Sequence, residues 1–477
     1  MRLPGWLVAT ALCSTTACSR GPAPPRPPVV AVTPHLPVAF DAAAVDAWMA
    51  AQLQQRGLVG VQLAIARGGE LVFSRSYGRA RVGGAKLSDD TAFAIGSITK
   101  QFVCAAAAML EHDGKLALTD PVAKYQPELT RASDITLDDL GAHLSGYRDF
   151  YPLDFLDQRM RTPTTPAAVI QRYATAPLDF EPRTRWSYSN TGFLVLGRVI
   201  EQVGGTPLGP WLRTHVFAPL HMDHSHFEPA PQTAGLATGH TRFALGEPSP
   251  TPREASGWID AAGGIWATAS DLVRWDLGLL AGTVVPPDAR AKLTTARTLA
   301  DGRSTDYGCG LGVRRQSGDE LWSHSGAVSG FVAYNTVIPR TGTAVVLLAN
   351  TEGSSVGDLH AELVAMMLAV PEQVPIVAGP GAVEVAGQLF AQLQRGTLDR
   401  TRLSSELSAY YDPARVRAAA GRLRELGTPV RIEADRARER GGLEVTHLRL
   451  VFADRTVKAL MYRRPDGTVE EFLLLHD

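Results

Sequence analysis

The sequence predicts an α+β protein. Its body is bilobed, an antiparallel sheet flanked by helices plus a helical lobe, and a small α+β module follows it. Three observations predict this. Strand-like runs lie early in the chain (residues 59–66 and 71–77) and again late (331–337 and 344–349), with mostly helical and loop sequence between. That order suits one mostly antiparallel sheet covered by terminal helices, with a helical lobe inserted between its strands. Pro371, Pro375 and Pro380 then mark a linker, beyond which lies a segment of roughly a hundred residues, a usual domain size.

At 477 residues the chain is too long for one compact core, and two or three domains are expected. Apolar content of 45% and charged content of 20% are globular values. A net charge of −1 gives no broad field toward nucleic acid or an anionic membrane surface. Of the four cysteines, Cys13 and Cys18 lie near the start. Cys104, in an Ala-rich helix, reads as a small core residue, and no disulfide framework is indicated.

Taken in order, Arg2 and the apolar run Trp6-Leu7-Val8-Ala9-Thr10-Ala11-Leu12 make residues 1–18 a signal peptide, too short to span a bilayer. Thr15-Thr16-Ala17-Cys18 resembles a bacterial lipobox, with Cys18 as the lipidation candidate. Residues 19–37 are a Pro-rich linker, and 38–370 are the main body. Val45, Trp48, Met49 and Leu53 have helical spacing. The two early strand runs join at Gly68-Gly69, a hairpin signal. Residues 92–96 lead to Ser97 and Lys100, which open an apolar helix that stops near Asp113-Gly114. Further helices are expected over 137–144 and over 193–203, the latter stopped by Gly204-Gly205. Another runs over 272–280 behind the capping sequence Thr268-Ala269-Ser270-Asp271, and an apolar helix covers 358–368. After a second linker, 371–383, the module 384–477 opens with an amphipathic helix. Strands are expected over 430–433, 443–452, 457–463 and 470–475.

Three short patterns carry chemistry. In Ser97-Ile98-Thr99-Lys100 the i and i+3 positions share a helix face, so the lysine amine can reach the serine hydroxyl. Serine is a poor nucleophile until a neighbour takes its proton. The unpaired N–H groups of a helix start favour an oxyanion. Alone, so short a pattern reads first as a helix cap with a surface lysine. Tyr188-Ser189-Asn190 sits on a turn before an apolar helix. A tyrosine serves as base only when its pKa falls well below about 10, and a nearby cation such as Lys100 lowers it. Alone, this is a packed turn with a capping asparagine. His324-Ser325-Gly326-Ala327 is expected near the end of an edge strand, where a glycine admits a substrate backbone and the Ala327 N–H can meet an oxyanion beside that of Ser97. Alone, it is a hairpin turn with an exposed histidine.

In this order and spacing the three patterns resemble the penicillin-recognising serine hydrolases. The branch they look most like is that of class C β-lactamases, D-Ala-D-Ala carboxypeptidases, D-aminopeptidases and related esterases. Leu144-Ser145-Gly146-Tyr147, Pro219-Leu220, Ala262-Gly263-Gly264-Ile265, Asp271-Leu272-Val273-Arg274-Trp275 and Tyr307-Gly308 agree in order, so the resemblance covers about residues 40–368. It implies a β-lactamase/transpeptidase-like fold and an acyl-enzyme at Ser97. Lys100 and Tyr188 would shuttle the proton, with Tyr188 as acceptor and Lys100 as its electrostatic partner. Asn190 would position Lys100 and the substrate amide. The N–H groups of Ser97 and Ala327 would form the oxyanion hole, with Ser325 and Gly326 on the same strand and His324 lining the cleft opposite Ser97. No cofactor and no metal are implied. The substrate would be a small molecule or peptide: an ester, a D-amino-acid peptide or a β-lactam. The expected location is outside the inner membrane of a bacterium, periplasmic or anchored through Cys18. The C-terminal module looks similar to the NTF2-like appendages of such hydrolases.

One departure matters. Class C β-lactamases carry a lysine where this sequence has His324. A histidine is largely neutral at neutral pH and holds a substrate carboxylate less firmly, which favours esters or amides over β-lactams. A class C-type β-lactamase and a non-catalytic sensor of the same fold are the alternatives. His221, His224 and His226, with Asp223 among them, match no metal spacing. Gly353-Ser354-Ser355-Val356-Gly357 fits a nucleophile elbow, which needs a later acid and then a histidine; of the histidines beyond Ser355, His447 and His476 lie in the separate module and only His360 in the body, so this reading is poor.

Overall fold

The structure is a computed structural model describing residues 40–151, 158–242, 246–353, 355–368 and 374–475. The expected signal peptide, Cys18, the first linker and Ser354 lie outside these residues.

Six strands form the main sheet: β1 (Gly60–Arg67), β2 (Glu70–Gly78), β3 (Gly312–Gln316), β4 (Asp319–Val328), β5 (Phe331–Ile338) and β6 (Thr343–Ala349). Their order is β2-β1-β6-β5-β4-β3, and every neighbouring pair is antiparallel. The first and last parts of the body therefore meet at the centre, with Val61 opposite Ala349. β1 and β6 are covered on both faces, which is why they read as continuous apolar runs. Alternate residues still go to different cores. Leu63, Ile65, Val345 and Leu347 face α1 (Ala42–Gln55) and the helix Ser355–Leu368. Ala64, Ala66, Val346 and Leu348 face the other core, with α2 (Thr99–His112) and the helical lobe.

The helical lobe is built around α3 (Asn190–Gly204). Ser189 caps its start by accepting from the Gly192 N–H, and Gly205 ends it in the left-handed region at φ +66°. α4 (Ala269–Ala281) begins behind the Thr268 cap and lies against the sheet. The helix Ser355–Leu368, here α5, closes the opposite layer.

Two expectations change. The His324 motif lies inside β4, one strand in from the edge, because β3 covers it. β3 is polar and mostly exposed, so it lacks the apolar alternation by which strands are read. Cys104 is more than a core residue: it forms a disulfide with Cys309 across a sequence separation of 205. Gly141 makes room for it, since a Cβ there would lie 2.3 Å from the Cys309 sulfur.

The C-terminal module is α+β, as expected. α6 (Ala382–Arg395) and α7 (Pro413–Glu425) pack on a four-stranded antiparallel meander, β7 (Arg431–Arg440), β8 (Leu443–Val451), β9 (Thr456–Arg463) and β10 (Val469–Leu475). Leu389, Phe390, Leu448, Met461 and Phe472 are central to its core. β7 runs well past its expected end because it is an edge strand, and its charged residues suit an edge that must not pair with other chains.

Candidate active site

A short strand, Phe93–Ala94, pairs with Ile265–Ala267 and delivers the chain to Gly96. Gly96 has φ +51°, and a Cβ on it would lie 2.8 Å from the Ala327 nitrogen. On the facing strand a Cβ on Gly326 would lie 1.9 Å from the Ile95 carbonyl oxygen and 3.1 Å from the Ser97 nitrogen. These two glycines let the Ser97 turn and β4 touch, so the backbones of Ser97 and Ala327 sit side by side. Ser97 belongs to a 3₁₀ turn, Gly96–Ile98, that runs directly into α2.

Lys100 lies in the first turn of α2 and is 0% exposed. Its Nζ donates to Ser97 Oγ at 3.1 Å, to Asn190 Oδ1 at 2.7 Å and to the Ala262 carbonyl at 2.6 Å. Burial pushes this ammonium down to about 7, against the pull of the Asp149 carboxylate. The Lys100 nitrogen also lies 4.8 Å from the centroid of the Tyr188 ring and 5.1 Å from that of Phe193. The Tyr188 phenol is hydrogen-bonded with Ser97, yet its pKa moves up, mainly through burial and also through Asp149. The expected order of basicity is therefore reversed. Burial favours the neutral amine of Lys100 and the neutral phenol of Tyr188. The reason is the buried setting, which disfavours the charged form of both groups.

Asn190 stands between two charges. Its Oδ1 accepts from Lys100, while its Nδ2 donates to Asp149 at 3.1 and 3.2 Å. The Asn190 and Tyr151 backbone N–H groups donate to Asp149 Oδ1 at 3.0 and 3.2 Å. On β4, His324 Nδ1 lies 2.5 Å from the Ser325 carbonyl, and Nε2 lies 2.9 Å from the Tyr307 hydroxyl. A carbonyl only accepts, so Nδ1 carries the proton and Nε2 accepts from Tyr307. Both nitrogens are spent, and burial together with the Lys100 charge pushes the imidazolium down to about 4. His324 is neutral and offers no free donor to a carboxylate.

These groups surround a cavity of about 330 Å³ lined by Ser97, Asp149, Tyr188, Asn190, His324 and Ala327, among others. Ser325 also lines it. Lys100 lies behind the wall, and Gly326 is buried against the Ser97 turn. The structure thus brings together every residue the three sequence patterns nominate. It adds three that they do not: Asp149, His143 and Tyr307. Asp149 and His143 lie beside Leu144-Ser145-Gly146-Tyr147 and Tyr307 within Tyr307-Gly308, so the sequence signal for them lies in or next to segments that carry the family resemblance. Of the histidine cluster, His224 is turned to Asp90, 3.2 Å away.

A two-faced antiparallel sheet, a helical lobe and a seam holding serine, buried lysine and tyrosine define a penicillin-recognising serine hydrolase. A family model described as Beta-lactamase matches residues 45–366, and the chain belongs to that family. The D-aminopeptidase of Brucella canis is 26% identical over 329 residues, 68% of this chain and 62% of that protein. The chain thus spans less than two thirds of that relative's length. The D-amino acid amidase of Ochrobactrum anthropi SV3, solved with L-phenylalanine amide, superposes with a TM-score of 0.59 at 24% identity. That match covers 67% of this chain and 95% of the amidase. The octameric penicillin-binding protein homologue of Pyrococcus abyssi gives 0.61 at 20% identity over 92% of this chain and 100% of the other. That share takes in the C-terminal module, and at these identities the likeness is one of fold.

Proposed function

We propose that the protein hydrolyses esters or amides of the D-amino-acid type through an acyl-enzyme at Ser97, rather than β-lactams. The observation that carries this is the buried Lys100 amine, 3.1 Å from Ser97 Oγ, with its pKa pushed down to about 7. Lys100 takes the serine proton as Ser97 Oγ attacks the carbonyl carbon. The N–H groups of Ser97 and Ala327 receive the developing oxyanion. The Tyr188 hydroxyl, still protonated, gives its proton to the leaving group, and the proton held by Lys100 replaces it. Water then cleaves the acyl-enzyme by the same path in reverse.

Substrate preference follows from the charges. The neutral, fully bonded His324 gives a β-lactam carboxylate nothing to hold it. Asp149 is the one carboxyl group among the described residues lining the cavity, and it offers an acceptor to a substrate amine. Relatives named for D-amino-acid substrates support this direction. Export, with anchoring through a lipidated Cys18, is part of the proposal. The Cys104–Cys309 disulfide supports it, because such bonds persist in oxidising compartments.

The test is a panel of D-amino-acid amides, short-chain esters and cephalosporins with wild type and Ser97→Ala. Wild type should be labelled by a fluorophosphonate and should turn over esters or D-amides. Ser97→Ala should do neither. Faster turnover of a cephalosporin than of any ester or amide would overturn the substrate assignment. Absence of labelling would overturn the hydrolase.

A further inference from the structure

His143 is a buried imidazole with no part in the proton path above. It is 1% exposed and has a backbone φ of +62°. Few residues other than glycine adopt that conformation, and histidine is among those enriched there. A two-point grip on the neighbouring turn accounts for it. The His143 carbonyl accepts the Ser187 N–H at 3.1 Å, and His143 Nδ1 accepts the Ser189 N–H at 3.0 Å. Tyr188 is the residue between these two anchors. The imidazole also lies against the Tyr188 ring, with centroids 4.2 Å apart and planes 32° from parallel. Phe193 and Tyr307 close around it at 5.2 and 5.0 Å.

Because Nδ1 accepts, the ring proton of the neutral form sits on Nε2. Nε2 is buried and has no hydrogen-bond partner among the described residues. An unpaired buried N–H is costly, and a phenylalanine would fill much of the same space without it. What the imidazole offers in return is the acceptor that meets Ser189. Burial and the charge of Lys100 keep the ring in the form that acceptance requires.

We propose that His143 is a positioning residue that aims the Tyr188 hydroxyl at the leaving group, through its Nδ1 and through its ring face. This rests on Tyr188 being the proton donor. The effect has a signature that loss of stability lacks. An alkoxide must be protonated as it departs, whereas a nitrophenolate leaves largely without help. Misaim of Tyr188 should therefore matter for one and hardly for the other.

The experiment compares kcat/KM for the ethyl and p-nitrophenyl esters of one acid. The enzymes are wild type, His143→Phe, His143→Asn and Tyr188→Phe. His143→Phe keeps a ring and loses the acceptor. His143→Asn keeps an acceptor of similar reach and tolerates the positive φ. On the ethyl ester, His143→Phe should lose on the order of 10²-fold, the scale of a misplaced catalytic group, with much of the loss restored in His143→Asn. On the nitrophenyl ester it should stay within about threefold, and Ser97 should still take the fluorophosphonate label. Equal losses on the two esters, or no loss in His143→Phe, would overturn the positioning role. If Tyr188→Phe itself shows no preference between the esters, the donor assignment fails, and this proposal with it.

Discussion

Lys100 shows how a residue gains reactivity by losing water. Its three hydrogen bonds go to a hydroxyl, an amide oxygen and a carbonyl, none of them ionic, so the charged form lacks a direct counter-charge. The base must be unprotonated to act, so kcat/KM should rise with pH through an apparent pKa of about 7 and fall away below it. Asp149 favours the ammonium, so Asp149→Asn should move this limb to lower pH while loosening Asn190. A pH profile of the variant checks the direction, and a limb that moves upward would contradict the assignment. The serine, lysine and tyrosine are legible in sequence because each stands in a short pattern, Ser97 with Lys100 in one and Tyr188 with Asn190 in another. Asp149 and His143 are not. They act on partners 41 and 46 residues away, and only the fold brings those partners to them.

At the scale of elements, the seam depends on two backbones approaching more closely than any side chain allows. Gly326→Ala would place a methyl 1.9 Å from the Ile95 carbonyl oxygen, an atom that cannot swing away. Ser97 labelling in that variant should slow by at least about 10²-fold, read as the rate of fluorophosphonate incorporation. Wild-type labelling would mean that the seam tolerates a wider gap. A second element-level feature lies between α4 and β5. Asp276 is fully buried, Asn335 Nδ2 donates to both its oxygens at 2.8 Å, and burial pushes its carboxyl up to about 8. The unfolded carboxyl ionises near about 4. Between these values the folded chain binds the extra proton, so stability falls as pH rises through that window and levels off above it. Asp276→Asn should flatten the decline, measured as Tm from pH 5 to 9. An unchanged slope would place the cause elsewhere. Helices and buried strands were readable from apolar spacing. β3 and the far half of β7 were not, because polar edge strands carry no such spacing.

Across the whole molecule, the order of elements foretold the architecture. Strands at both ends of the body meet at the centre of one sheet, and what lies between them must bulge out as a second lobe. The cysteine pair is not legible in sequence, because nothing local marks two thiols 205 residues apart as neighbours. Their bond should stabilise the fold by about 2–4 kcal/mol. The check is chemical denaturation of wild type and of the Cys104→Ala, Cys309→Ala double variant. Reductant should bring wild type to the level of the variant and leave the variant unmoved.

The same bond turns most of the helical lobe into a closed covalent ring. A protease that cuts at the exposed Gln232 cuts inside the ring, and the two pieces stay one molecule until reductant is added. A cut at Ile376, 94% exposed in the second linker, falls outside it and frees the C-terminal module at once. Gels run with and without reductant should therefore give different patterns for nicks in the lobe and identical ones for nicks in the linker. A body clipped inside the ring stays one covalent molecule, two chains held by the disulfide, whereas the module has no such link to it.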